Sequence, residues 1–212
     1  MFWLIFVIVV WGVVHSLLAS LGFKNFLRRR LGNRFMKSYR LLYNLLAVIS
    51  LAPVLALMVS LPDQPLYQVP APWSYLLRVG QGLSVILLFG AVLQTDILAF
   101  VGLRQWVEDE QTGELVIKGL YRFVRHPLYT FSLLILWLSP SMTVNSFVVY
   151  AALTVYVLIG IIFEERKLLR EFGQAYADYK SVTPMLIPGL SKTGVPVADP
   201  AAGGAAKPGG NK

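Results

Sequence analysis

Cysteine is absent from the 212 residues, and histidine occurs only twice. The first absence excludes disulfides, thiolate metal sites and a cysteine nucleophile. Charge is scarce too: 14% of residues are Asp, Glu, Lys or Arg, against about a quarter in a soluble domain. Acids are scarcer than bases, 11 against 19, which leaves a formal net charge of +8. Apolar residues fill the chain instead, at 56%, with a mean hydropathy of +0.63. Long apolar blocks joined by basic patches describe a polytopic membrane protein. Because the cations are interleaved with those blocks they read as a topology signal, and no nucleic-acid partner is expected.

A membrane span takes about 20 mainly apolar residues. Five segments qualify, at residues 2–21, 41–61, 76–101, 128–138 and 144–163. The fourth is short and runs into Ser139-Pro140-Ser141, a helix break that makes the last two spans a tight helical hairpin. Residues 22–40 carry seven cations and no acid, whereas 62–74 carry Asp63 and no cation. The excess of Lys and Arg on cytoplasmic loops then places the N-terminus outside and the C-terminus inside. In that orientation 18 of the 19 cations lie on the cytoplasmic side, Arg78 being the exception. No cation precedes the first apolar run, so residues 1–21 read as a retained helix and not as a signal peptide. The connector at 61–72, with Pro62, Pro65, Pro70 and Pro72, is expected to lack regular structure. Residues 191–212 are Gly, Ala, Pro and Lys with almost nothing to bury, and disorder is expected there. The expectation is an all-α polytopic membrane domain over residues 1–190, with about five transmembrane helices, a C-terminal hairpin and a cytoplasmic C-terminal helix.

Several polar groups sit where a membrane makes them costly. Asp96 falls in the expected third span, His15 in the first, Arg125-His126-Pro127 opens the fourth and Glu164-Glu165 closes the fifth. Ionisable residues at such depths cost about 2.5 to 3.5 kcal/mol near a helix centre and usually face a partner or a wet cavity. Each has a structural reading: His15 as a hydrogen-bond partner of a neighbouring helix, Asp96 as a partner of Arg104 or Arg125, the two glutamates as solvated helix-end charges. The topology places all of them in the same leaflet, and one site open to the cytoplasm accounts for them together.

From Gly119 the chain reads Gly-Leu-Tyr-Arg-Phe-Val-Arg-His-Pro-Leu-Tyr, and from Glu164 it reads Glu-Glu-Arg-Lys-Leu-Leu-Arg-Glu-Phe-Gly-Gln-Ala-Tyr-Ala-Asp-Tyr, followed by Pro184 and Pro188. This ordered pair, separated by an apolar hairpin, resembles the integral membrane methyltransferase superfamily that contains isoprenylcysteine carboxyl methyltransferases and bacterial phospholipid N-methyltransferases. Residues 96–106, the turn from Pro140 to Thr143, the run from Pro184 to Pro188, and His15-Ser16 further resemble the methanethiol S-methyltransferase branch. The resemblance implies S-adenosylmethionine as methyl donor and, as acceptor, a small thiol or a lipophilic molecule such as a prenylcysteine carboxylate.

A donor carrying a carboxylate, an ammonium and a sulfonium asks for both signs of charge in one confined place. On the resemblance, His126 and Arg125 meet the carboxylate, Arg being the better bidentate partner, and Glu164 or Glu165 meets the ammonium or the ribose hydroxyls. Tyr129 and Tyr121 line the adenosine, Gly119 permits a tight turn, and Pro127 at a helix start holds Arg125 and His126 just ahead of the span. Arg125 is the expected catalytic cation beside the nucleophile, and Glu165 or Asp96 is expected to orient the substrate or accept its proton; His15, Asp96 and Arg104 are expected on the acceptor side, with His15 a second candidate base. No metal is expected. Two other classes compete. A solute or proton pathway through His15 and Asp96 requires ionisable groups at successive depths, and the outer half of the spans has almost none. A membrane sterol reductase requires NADPH, and the chain has no Gly-rich dinucleotide element.

Overall fold

The computed structural model describes residues 2–95 and 115–189. Asp96, Arg104 and the expected disordered tail at 191–212 lie outside the described residues. Helix α1 (Phe2–Ala19) is apolar apart from His15 and Ser16. Ser20 separates it from α2 (Leu21–Ser60), where its hydroxyl accepts the Phe23 N–H at 3.2 Å as an N-cap. The cationic stretch expected to be a connector at 22–40 is therefore helical, and α2 runs for 40 residues with one non-helical point at Gly32. The physical reason is composition: between Ser20 and Pro53 there is no proline, and Leu, Arg, Lys and Met are good helix formers even when charged. At about 1.5 Å per residue such a helix is about 60 Å long, roughly twice a bilayer core. The interruption at Gly32 divides it into a basic first arm and a segment that contains the spanning part.

Helix α3 (Trp73–Leu93) starts three residues earlier than the expected third span, and its regular turns stop at Leu93 with Gln94 as C-cap. Helix α4 (Pro127–Trp137) has 11 residues, about 16 Å of rise, half of a bilayer core. Helix α5 (Val144–Phe172) continues past the expected end at 163, so Glu164 and Glu165 stand inside a helix and not at its terminus. Gly173, at φ 55° and ψ −125°, turns the chain into α6 (Gln174–Val182); that backbone conformation is one few residues other than glycine adopt. Among the described residues four helices, α1, α2, α3 and α5, are long and apolar enough to cross a membrane, and α4 is a shorter apolar helix. The chain is an all-α integral membrane protein.

Two groups of helices are held together differently. Leu4 and Ile8 of α1, Val54 of α2 and Val149 of α5 form a fully buried seam. Helices α3 and α4 pack as a pair in which Gln81 Nε2 donates to the Ile135 carbonyl at 2.7 Å. Much of the remaining apolar surface is turned outward, with Val59 80% and Phe2 73% exposed, as lipid-facing positions are. The proline-rich connector, expected to be irregular, forms a short strand β1 (Pro65–Gln68) paired antiparallel with β2 (Ser141–Thr143), Pro65 facing Thr143. Asp63 Oδ1 accepts the backbone N–H groups of Gln64 at 2.8 Å and Asn145 at 3.0 Å, and Thr143 with Ser146 closes a capping box on α5. One end of the α4–α5 hairpin is thus fastened to the rest of the chain by backbone hydrogen bonds, side-chain caps and the Asp63 carboxylate. The other end holds the two motifs.

Candidate active site

The first motif enters on a 3₁₀ turn (Gly119–Arg122) whose opening residue has φ 58°. A Cβ at Gly119 would stand 2.2 Å from Gln94 Oε1, so the end of the Gln94 side chain would have to move, and that same oxygen accepts the Leu120 N–H at 2.7 Å. The positive φ is what asks for glycine here, and Gln94, which sequence reasoning passed over, ties this turn to the end of α3. Three residues on, the chain extends and pairs with the segment after α6: Arg125 N–H donates to the Pro184 carbonyl at 2.8 Å and His126 N–H to the Met185 carbonyl at 3.2 Å. His126 is the N-cap residue of α4 and Pro127 its first helical residue, where the missing N–H costs nothing.

Glu165 is the hub. Its side chain is 8% exposed. Oε1 accepts Arg125 Nε at 2.8 Å and Nη2 at 2.7 Å and lies 3.3 Å from His126 Nε2, while Oε2 meets Lys180 Nζ at 2.7 Å. The Arg125 guanidinium also donates through Nη1 to the carbonyls of Lys180 and Thr183. This clasp ties α5, the loop before α4, α6 and the segment beyond it into one unit. Charges this buried repay their desolvation only with several good hydrogen bonds, and here each has them.

Glu164, one residue earlier, lives differently. Its side chain is 43% exposed, its Oε2 accepts the Tyr129 hydroxyl at 3.0 Å, and His126 Nδ1 stands 3.9 Å away. The His126 imidazole lies between the two carboxylates. Burial pushes its pKa below the usual histidine value, outweighing the upward pull of Glu164 and Glu165, so the ring is neutral at pH 7. Burial, helped by Glu164, pushes the Tyr121 phenol up to about 12; burial likewise raises Tyr179, whose hydroxyl donates to the Tyr121 carbonyl. Tyr176 and Tyr179 stack edge to face at 6.0 Å beneath the clasp.

The expected residues thus separate into three sets. Gly119, Tyr121, Arg125, His126, Pro127, Tyr129, Glu164 and Glu165 are brought together. His15 is buried in α1 among Trp11, Tyr43 and Ser50, with no recorded contact to the Glu164–Glu165 cluster among the described residues. Asp96 and Arg104 lie outside the described residues. Lys180 and Thr183 were missed by sequence reasoning. Their signal is weak, since a lysine on a polar helix and a carbonyl acceptor look like any other until Gly173 folds α6 back on α5.

An all-α bundle carrying an ionic cluster of this kind at one end of an apolar hairpin defines a class, the integral membrane proteins with an enclosed polar site at the end of a helical hairpin. A family model described as NnrU protein matches residues 3–197. A methanethiol S-methyltransferase 2 of Bradyrhizobium diazoefficiens is 31% identical over 85% of this chain and 70% of its own length. Methanethiol S-methyltransferases of Crocosphaera subtropica and of Pseudomonas sp. strain GM41(2012) are 38% and 30% identical, over 43% and 69% of this chain; the chain spans 38% and 60% of their lengths. No solved structure matches. The chain belongs to the NnrU family, within the group of integral membrane methyltransferases that these relatives represent.

Proposed function

We propose that the protein transfers a methyl group from S-adenosylmethionine to a small thiol, at a site open to the cytoplasmic face of a bacterial inner membrane. The observation that carries this reading is the division of labour between neighbouring carboxylates: Glu165 is consumed by Arg125, His126 and Lys180, while Glu164 keeps one hydrogen bond and a half-exposed side chain. Glu164 is then the acid available to an ammonium or to ribose hydroxyls, with Tyr129 and His126 orienting it. Arg125 and Lys180 against Glu165 leave the clasp one net positive charge, which suits the donor's carboxylate. The donor set therefore fits a zwitterionic ligand. Tyr121 and Tyr129 offer rings to the adenine, and Arg125 and Glu165 act here as the positioning pair that holds the motif loop in place.

When bound, S-adenosylmethionine supplies an activated methyl on its sulfonium. A thiolate attacking in line needs alignment and exclusion of water more than acid–base machinery, and the buried clasp supplies the first. His15, Asp96 and Arg104 belong to the acceptor side in this reading, reached from the membrane. Residues 1–190 act as one membrane domain, with the N-terminus outside and the C-terminus in the cytoplasm. The test is calorimetric binding of S-adenosylmethionine to the detergent-purified protein and to Glu164→Ala, followed by transfer of labelled methyl to methanethiol, a prenylcysteine or an amino phospholipid. Binding that disappears in Glu164→Ala and label on methanethiol are the expected results. Equal binding by both proteins sinks the Glu164 assignment, and label confined to lipid amine sinks the thiol acceptor.

A further inference from the structure

The end of the α4–α5 hairpin away from the Glu164–Glu165 cluster carries a cavity of about 420 Å³, between the β1–β2 ribbon and the first turns of α3. That volume falls within the range of small-ligand sites. Gln68 of β1, Ser141 of β2, and Ser74 and Arg78 of α3 supply its polar side chains. The ribbon fixes one wall: the Val69 N–H donates to the Pro140 carbonyl at 2.8 Å, and the Tyr67 hydroxyl to the Ser139 carbonyl at 3.0 Å. Arg78 is the one cation of 19 that the charge pattern assigns to this side. Among the described residues no ion pair or hydrogen bond is recorded for it, nor any hydrogen bond for the side chains of Gln68, Ser74 and Ser141. No acid lines the cavity, and Asp63 is held by the backbone N–H groups of Gln64 and Asn145. A guanidinium, an amide and two hydroxyls around one space, with no carboxylate among them, suit an oxyanion. A guanidinium suits a phosphate best, through two parallel hydrogen bonds.

Position decides which phosphate. Trp73 and Tyr75, both exposed, stand at the start of α3, as amphipathic aromatic rings do at the level of the lipid headgroups. Arg78 lies five residues beyond Trp73, about 8 Å further along the helix axis. A cation at that depth without a counter-charge is costly, and a headgroup phosphate is the anion a membrane offers there. On the same face of α3, Gly82, Val85 and Phe89 follow Arg78 at one, two and three turns. Val85 and Phe89 are exposed, and a Cβ at Gly82 would meet nothing within 4 Å. A polar cavity holding a cation therefore opens onto an apolar lane with a gap at its head. Phosphate above and acyl chain below are the two parts of one phospholipid.

We propose that this cavity binds the phosphodiester of a membrane phospholipid, in the leaflet opposite the candidate active site. Arg78 holds the phosphate, Gln68, Ser74 and Ser141 donate to the headgroup oxygens, and one acyl chain lies along Gly82, Val85 and Phe89. The lipid bridges the ribbon and α3, so it fastens the Pro140 end of the hairpin to the neighbouring helix and stabilises the folded protein by mass action. It stands apart from methyl transfer, which has its own residues at the other end of the hairpin.

The test irradiates the full-length protein in detergent with a phosphatidylglycerol that carries a diazirine on one acyl chain, and maps the labelled segments by mass spectrometry. Label on residues 73–89 is expected, displaced by unlabelled phosphatidylglycerol but not by the matching diacylglycerol or by inorganic phosphate. In Arg78→Gln that label is expected to fall by about 10-fold or more, the loss of a hydrogen bond to a charged group. Label on residues 21–40 is expected to be equal in the two proteins, which separates this site from the general attraction of anionic lipid to the basic arm. Gly82→Leu keeps every donor and fills the lane, and it is expected to lose label on 73–89 as well, so the test does not depend on Arg78→Gln folding. Equal label on 73–89 in wild type and Arg78→Gln, or its displacement by diacylglycerol, overturns the phosphate site. Displacement by inorganic phosphate makes the cavity a site for a free anion and overturns the lipid, and full label in Gly82→Leu overturns the acyl lane.

Discussion

The α4–α5 hairpin has two ends built from opposite materials. Near Pro140 the chain is fastened by a two-strand ribbon, a capping box and the Asn145 amide, whose Nδ2 donates to the Leu61 carbonyl at 3.3 Å. Near His126 it is fastened by charge, with Glu165 accepting from Arg125, His126 and Lys180. The Pro140 end has no ion pair recorded among the described residues: its carboxylate, Asp63, is held by the backbone N–H groups of Gln64 and Asn145. At the charged end the clasp is closed but its neighbour Glu164 is left half exposed, so order and availability sit one residue apart. A site that must seize a charged ligand needs a frame that does not move when the ligand's charges arrive, and Glu165 supplies that frame for Glu164.

The comparison breaks most severely at Glu165. Glu165→Ala leaves the Arg125 guanidinium buried without its counter-charge, at a cost of about 3–5 kcal/mol; thermal unfolding in detergent should show a large fall in midpoint together with loss of donor binding. A fall of under about 1 kcal/mol would mean that the clasp is not the frame. Glu164→Gln is the sharpening counterpart. It keeps the hydrogen bond from Tyr129 and removes the charge, so donor affinity should drop by about 10- to 100-fold, roughly the value of a hydrogen bond to a charged group, with the unfolding midpoint unchanged. Similar effects of both substitutions on stability would erase the distinction between the two acids.

Gly119→Ala asks whether the motif turn depends on its approach to α3. The positive φ and the overlap with Gln94 together predict about 1–3 kcal/mol of destabilisation, partly relieved in the double variant with Gln94→Ala. At the Pro140 end, Asn145→Ala should cost about 1–2 kcal/mol through unsatisfied carbonyls and leave donor affinity intact, measured by the same calorimetry. The smallest effect is a pH dependence. Burial holds the His126 pKa below its unfolded value of about 6.5, so the unfolded chain binds the proton more readily. The stability this confers is complete above that value and is lost as pH falls through the folded one. The wild-type midpoint should therefore decline below about pH 6.5 more steeply than that of His126→Gln.

How much of this was legible in the residues varies by element. The spans around α1, α3 and α5 and the hairpin break at Pro140 follow from apolar length and from proline. The helix through residues 22–40 did not, because cations mark a topological side and say nothing about backbone conformation, and the Leu, Lys and Arg of that stretch hold a helix as readily as a loop. The ribbon at Pro65 was hidden because its partner, β2, lies some 75 residues away along the chain. The paired motifs identified which residues assemble. They did not say that Arg125 turns to Glu165 and two carbonyls, or that Lys180 joins them, since those contacts depend on how Gly173 swings α6 against α5.

The sequence by itself determined the solvent: too little charge for water, too much apolar length for anything but a bilayer, and an absence of cysteine that leaves the chemistry to carboxylates, guanidinium, ammonium, hydroxyls and two imidazoles. Hydropathy and charge are additive along a chain, so they can be read in order. The tertiary structure decided which of two identical, adjacent side chains is structural and which is available. Glu164 and Glu165 differ by about 100° of helix rotation, and only the packing of α4 and α6 against α5 turns that angle into a buried ion pair on one side and a half-exposed acid on the other.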